Sequence, residues 1–183
     1  MQNPLIINKQ QLLFDRIDST NEEAKRQINK GAGEGLVIIA KEQTAGKGKP
    51  GSSWFSAPNL GLYLSIVLKP YKSQNKLSMI TQFSANAVIK AIKAMTGLEA
   101  VIKPPNDVLL NNKKVCGILV ERLHTGELIV GIGLNLYHEK TDFLPELQES
   151  ATSLYIESKD KVHVLDKLLE CFNQEYLAYL ANI

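Results

Sequence analysis

Cysteine is scarce: two residues in 183, with no C-x-x-C spacing, leave nothing from which to build a disulfide framework or a thiolate zinc site. Cys116 and Cys171 stand instead in apolar strand and helix contexts. No stretch approaches the ~20 apolar residues of a membrane span, and the N-terminus lacks the cationic region and apolar run of a secretory signal. The expected location is therefore cytoplasmic, away from any membrane. Neither sign of charge dominates, since 21 basic against 19 acidic residues give +2, and no broad basic field for nucleic acid results. Repeats, low-complexity tracts and linkers are also absent. With 44% hydrophobic residues, positions 1–183 fit a single globular domain.

What the chain has is local. Gln43-Thr44-Ala45-Gly46-Lys47-Gly48-Lys49-Pro50-Gly51-Ser52-Ser53-Trp54 puts three glycines and two lysines in one loop that ends at the only tryptophan. Glycine lets backbone N–H groups turn inward at φ > 0, and lysine adds charge, so the segment reads as a nest for phosphate or carboxylate oxygens. Gly46–Gly51 has G-x-G-x-x-G spacing, but a dinucleotide site needs a helix opening there, and Pro58 and a strand follow instead. A Walker A reading fails because Ser52 stands where its lysine belongs. A basic surface loop kept for solubility is the alternative.

Hydrophobic periodicity sets out the elements. A strand near Leu12–Ile17 precedes Asp18-Ser19-Thr20-Asn21-Glu22-Glu23, where Thr20 and Glu23 have capping-box spacing and a helix to about Ile28 is expected. Gly35–Ala40 and Leu62–Leu68 are strands flanking the glycine loop, and a long core helix runs from Leu77 to Met95. Strands at Ala100–Ile102, Val108–Leu110, Val115–Leu123 and Leu128–Leu136 follow, and Val162 to Leu180 forms an amphipathic helix. Hairpins mixed with helices that cover one sheet face make this α+β, with a mixed, largely antiparallel sheet.

A second chemical segment is Lys103-Pro104-Pro105-Asn106-Asp107. Its prolines fix φ and make a stiff corner that presents Asn106 and Asp107. Asn111-Asn112 suits the φ > 0 turn of a tight hairpin. Strand parity then puts Lys114 on the face of Cys116, Ile118 and Val120, opposite Lys113 and Glu121. A lysine turned to an apolar face needs an anionic partner; a hairpin-edge lysine with its tip in water is the other reading. In Gly131-Ile132-Gly133-Leu134-Asn135, Gly131, Gly133 and Asn135 share one face, forming either a flat groove for a planar ring or close helix-on-sheet packing.

Taken together, these segments carry a resemblance ordered along the chain from about Asp18 to Asn135. They are Asp18–Asn21, the Gln43–Trp54 loop, Leu62–Ser65, Lys103–Asp107, Lys114–Glu121 and Gly131–Asn135. The chain resembles the catalytic domain of the biotin protein ligases, the biotin–acetyl-CoA-carboxylase ligase family.

The resemblance implies a biotin/lipoate ligase-like fold and a two-step reaction. Biotin and MgATP give biotinyl-5′-AMP and pyrophosphate, and a lysine of a biotin carboxyl carrier protein or domain then takes the acyl group. Ser19, Thr20, Asn21 and Gln43 would hold the biotin rings, with Gly117 beside them. The loop through Gly46, Lys47, Gly48 and Lys49 would close over carboxylate and phosphates, and Lys114 would sit between those two anions, with Lys47 and Lys49 assisting. Trp54, Asn106, Gly131 and Asn135 would contact the adenylate, and Asp107 would be a ligand for Mg2+. Set against the family, the chain is expected to lack the helix-turn-helix domain that precedes the catalytic one in some members, so no DNA partner is expected. It is also expected to lack the small β-domain that commonly follows, which is either dispensed with or removed by shortening; a homodimer stays open.

Departures from the family pattern are equally specific. Arginines are usual where Lys47 and Lys49 stand, a basic residue where Ser52 stands, and tryptophan where Pro104 stands. Lysine keeps the charge but loses the bidentate fork, so weaker retention of the adenylate is expected. The alternatives are a lipoate or octanoate ligase or transferase of the same fold, whose arginine-pair and glycine-triplet loop is missing, and a non-catalytic biotin-binding protein.

Overall fold

The computed structural model describes residues 6–69 and 77–182. Among the described residues, seven strands form one sheet: β1 (Gln10–Phe14), β2 (Leu36–Ala40), β3 (Gly61–Leu68), β4 (Val101–Lys103), β5 (Asp107–Leu110), β6 (Lys113–Arg122) and β7 (Leu128–Asn135), in the spatial order β1-β2-β3-β7-β6-β5-β4. Only β1 and β2 pair in parallel; every other neighbour is antiparallel, so the sheet is mixed and largely antiparallel.

The helices are α1 (Thr20–Asn29), α2 (Leu77–Thr96), the five-residue α3 (Leu154–Ser158) and α4 (Leu165–Ala181). Apolar residues of α2 and α4, among them Ile80, Phe83, Leu168 and Phe172, build the main core against Leu64, Ile66, Cys116, Ile118 and Val130. The expectation that helices cover one face needs amending. A second, smaller core of Ala24, Leu36, Ile38, Val67 and Ile129 lies under α1 on the other face. Burial on both sides explains why all five residues of β2 are apolar and buried.

Local chemistry sets the boundaries. Asn111 and Asn112 take φ of 46° and 64°, so β5 and β6 meet in the two-residue turn their sequence suggests. The first strand stops at Phe14, three residues short of expectation, because Ile17 leaves the ladder to bridge Gln43 in the glycine loop.

The capping box at Thr20 is not made. Ser19 is the N-cap, with extended φ of −155° and no side-chain cap bond. Thr20 turns to Gln43, and Glu23 is taken by Arg26 and Gln27. Thr20 faces the neighbouring groove instead, while Glu23 stays along the helix with Arg26 and Gln27.

Parity in β6 is likewise broken, by one residue. Val108 pairs with Cys116 and Leu109 with Lys114, so Val115 is the extra residue of a β-bulge. Val115 and Cys116 are both buried in the main core, along with Ile118. Lys114 therefore lies on the face of Gly117 and Glu121, not on that of Cys116, Ile118 and Val120.

Candidate functional site

The groove over the α1 face is bounded by the start of α1, the glycine loop and the adjoining strands β5, β6 and β7. It encloses a cavity of about 240 Å³. Of the residues to which the resemblance assigns a site role, all but Gly46 and Asn135 line it.

One end is a closed polar network. Thr20 donates its backbone N–H to Gln43 Oε1 at 2.8 Å, and Gln43 Nε2 donates to Ser56 Oγ at 2.8 Å. Ser65 Oγ donates to Asn21 Oδ1 at 2.5 Å and lies 2.8 Å from Thr20 Oγ1. Asn21 Nδ2 donates to Glu121 Oε2 at 2.7 Å. Ser19, Thr20, Asn21 and Ser65 are all buried, so each polar atom is held in a defined direction. Gly131 admits this arrangement, since a Cβ there would fall 2.4 Å from Asn21 Oδ1.

At the other end stands Lys114. Its Nζ lies 2.8 Å from Asp107 Oδ1 and 5.2 Å from the centroid of the Trp54 ring. The indole rests on the strands themselves: a Cβ at Gly117 would meet Trp54 at 2.8 Å. Trp54 Nε1 is buried with no hydrogen-bond partner among the described residues. Asn106 is fixed to β6, donating Nδ2 to the Ile118 carbonyl at 3.0 Å. A second cavity opens beyond Trp54 and Lys114, with Phe55, Asn135, Phe143 and Ala151 in its walls. Asn135 Nδ2 donates to the Thr152 carbonyl at 2.9 Å there.

The glycine loop is folded differently from an open nest. Trp54 N–H donates to the Gly46 carbonyl at 2.9 Å, Gly48 N–H to that of Ser52 at 3.1 Å, and Ser52 N–H to that of Lys49 at 2.8 Å. Those three amides are occupied within a small hairpin, and of the loop glycines only Gly51 has positive φ. Gly46 is required by crowding: a Cβ would lie 2.4 Å from the Trp54 carbonyl oxygen. Lys49 is exposed, while Lys47 reaches Glu22 in the first turn of α1. Glu22 is shared with Lys25 at 2.8 Å, and the two lysines, Lys25 first, hold its carboxyl below the ordinary value. Lys25 also meets Glu121 at 2.8 Å, so ion pairs run from the polar network to the loop.

Beside the groove, Arg26 grips Asp18 through both guanidinium ends, at 2.7 and 2.9 Å, and holds its carboxyl down at about 2. Burial pushes the Cys116 thiol up, which removes it as a nucleophile. No group of three or more His, Cys, Asp or Glu among the described residues is arranged to hold a metal. Magnesium takes one or two carboxylates and completes its shell with water and phosphate oxygens. Asp107, paired with Lys114, is the one carboxylate among the described residues that line the cavity, and would be the residue available to such an ion.

Sequence reasoning passes over Ser65, Ser56, Glu121 and Glu22 as site residues. Ser65 carries a signal, being the one hydroxyl of a short side chain inside the otherwise apolar run Leu62–Leu68. A buried hydroxyl there requires a partner.

The profile of the Biotin/lipoate A/B protein ligase family matches residues 13–135. The bifunctional ligase/repressor BirA of Bacillus spizizenii is 36% identical over 181 residues, covering 94% of this chain and 56% of its own. The biotin–acetyl-CoA-carboxylase ligase of Paracoccus denitrificans is 37% identical over 130 residues, 68% of this chain and 53% of its own. The chain thus spans little more than half the length of these relatives. Among solved structures, the biotin protein ligase of Aquifex aeolicus in complex with biotin and ATP superposes with a TM-score of 0.82 at 32% identity, covering 91% of this chain and 70% of that one. No helix among the described residues is long and apolar enough to cross a membrane.

Proposed function

This chain belongs to the biotin/lipoate A/B protein ligase family, and on that premise we propose that it activates biotin with MgATP and delivers it to a carrier lysine. The observation that carries the reading is the position of Lys114, at the junction of a cavity ending in a fixed polar network and a second cavity across Trp54. Biotin takes the first cavity, its ureido ring matched to the donors and acceptors of Thr20, Asn21, Gln43 and Ser65. The nucleotide lies toward Trp54 and Asn135.

In the first step a biotin carboxylate oxygen attacks the α-phosphorus, and the bond to the β-phosphate oxygen breaks with its electron pair, giving biotinyl-5′-AMP and pyrophosphate. Two anions must approach each other. The Lys114 cation offsets that repulsion and the charge that builds on phosphorus, while Asp107 holds it in place. Lys47 and Lys49 supply further charge from the loop. In the second step the amine of a lysine on a biotin carboxyl carrier domain attacks the acyl carbon and AMP leaves. Neither step needs a nucleophile from this chain. The reaction belongs in the cytoplasm, where its substrates are met.

Pyrophosphate release with biotin, with lipoate and with no acid tests the reading. Release stimulated by biotin alone is expected. Stimulation by lipoate would favour the ligase of the other acyl group, and biotin binding without release would leave a binding protein.

A further inference from the structure

Lys114 is flanked by two different backbones. On one side is Leu109 of β5; on the other, β7 pairs with β6 only as far as Cys116, and residues 150–152 take its place. Lys114 donates its N–H to the Ser150 carbonyl at 2.8 Å, and its own carbonyl accepts from Thr152 N–H at 2.9 Å, with Ala151 bridged alongside. This strap satisfies the main chain of Lys114 where the sheet no longer does.

The strap has its own anchors. Asn135 holds the Thr152 carbonyl, and the Thr152 hydroxyl, fully buried, donates to Glu157 Oε1 from α3. The other oxygen of Glu157 accepts from Asn111 Nδ2, in the turn three residues ahead of Lys114. One carboxylate therefore ties together the turn before Lys114 and the strap beside it. Glu157 lines neither cavity.

We propose that Glu157 is a positioning residue for Lys114, fixing through Thr152 and Asn111 the backbone from which that lysine reaches the reacting anions. The proposal rests on the role given to Lys114 above. A charge aimed at a developing transition state loses its effect with small displacements, so the loss falls on the rate and spares ground-state binding at the far end of the cavity.

The test is pyrophosphate release alongside biotin affinity measured without ATP. Glu157→Ala should lower kcat about tenfold or more while the biotin Kd stays within about twofold. Thr152→Val should behave alike, and Thr152→Ser, which keeps the hydroxyl, should restore most of the rate. In a Lys114→Ala background, Glu157→Ala should add nothing further. A wild-type rate in Glu157→Ala, a parallel loss of biotin affinity, or an undiminished effect without Lys114 would overturn the proposal. Should Glu157→Ala fail to fold, the Thr152 pair decides the question in its place. If Lys114→Ala itself keeps its rate, the reading of Lys114 falls as well; if it loses its rate while the Glu157 and Thr152 variants keep theirs, only this proposal falls.

Discussion

The indole of Trp54 lies against the bare backbone of Gly133, so closely that a Cβ there would stand 2.4 Å from Cε2 and Nε1. Of the alternate glycines, Gly133 lies under a planar ring, which is the chain's own, while Gly131 makes room for Asn21 from the first turn of α1. Trp54 thereby forms the partition between the two cavities, with Lys114 beside it.

Gly133→Ala should push Trp54 off the sheet. Overpacking of this kind costs about 1–3 kcal/mol, relieved here by moving the side chain. Because Trp54 is the only tryptophan, intrinsic fluorescence reads its surroundings directly. A shift of emission to longer wavelength is expected, together with slower pyrophosphate release. Unchanged emission would mean the indole does not rest there in solution.

Lys114→Ala should lower the rate of adenylate formation by about 10²–10³, as removal of one charge-stabilising donor does. Lys113, one residue earlier, lines neither cavity, and Lys113→Ala should be nearly silent. Single-turnover rates compare them, and equal effects would contradict the geometry of the Val115 bulge.

Replacing Lys47 and Lys49 together by arginine should slow release of the adenylate, since a planar fork grips phosphate in two places where an ammonium grips as a point. Lys47, which already lines the cavity, must leave Glu22 to make that contact. Trapping of labelled adenylate measures the release. A faster off-rate in the double variant would remove both positions from contact with the intermediate.

Acid should weaken the start of α1 through Asp18. Its folded value, about 2, lies below the ordinary 3.8, so the contact with Arg26 contributes stability above about pH 4 that is lost as the pH falls toward 2. Both side chains are nearly half exposed, which keeps the contribution small. Thermal melts should show Asp18→Asn less stable than the parent near neutral pH and indistinguishable from it at the acid end. A constant difference across that window would mean that ionisation of Asp18 has no part in it.

Periodicity makes the strands and long helices readable, because burial repeats every two or every three to four residues. Lys114 faces the groove for a reason that alternation misses: strict parity puts it on the Cys116 face, and the bulge moves it. The trace of that bulge is the adjacent apolar pair Val115-Cys116, which a strictly alternating strand would not bury twice. The ion pair between Lys47 and Glu22, 25 residues apart, follows no period and depends on where the folded loop falls. Helix α3 is five residues long, too short to show one, and rests on Ser153 accepting from Ile156 N–H at 3.0 Å. The closed hairpin of the loop is equally hidden in the sequence, since Trp54, which closes it onto Gly46, is itself seated on Gly117 and Gly133 far along the chain.

The polar network at the closed end of the groove also bears on how such a pocket can change. Thr20, Gln43 and Ser56 satisfy one another, as do Ser65, Asn21 and Glu121, and the two sets meet where Ser65 reaches Thr20. A single replacement by a hydrocarbon side chain strands its neighbours as buried, unpaired groups, at about 1–3 kcal/mol each. If the lattice holds a ureido ring as proposed, a change to an acid that lacks one therefore requires several positions to change together. Whatever the lattice recognises, its specificity rests on the interdependence of these residues as much as on any one of them.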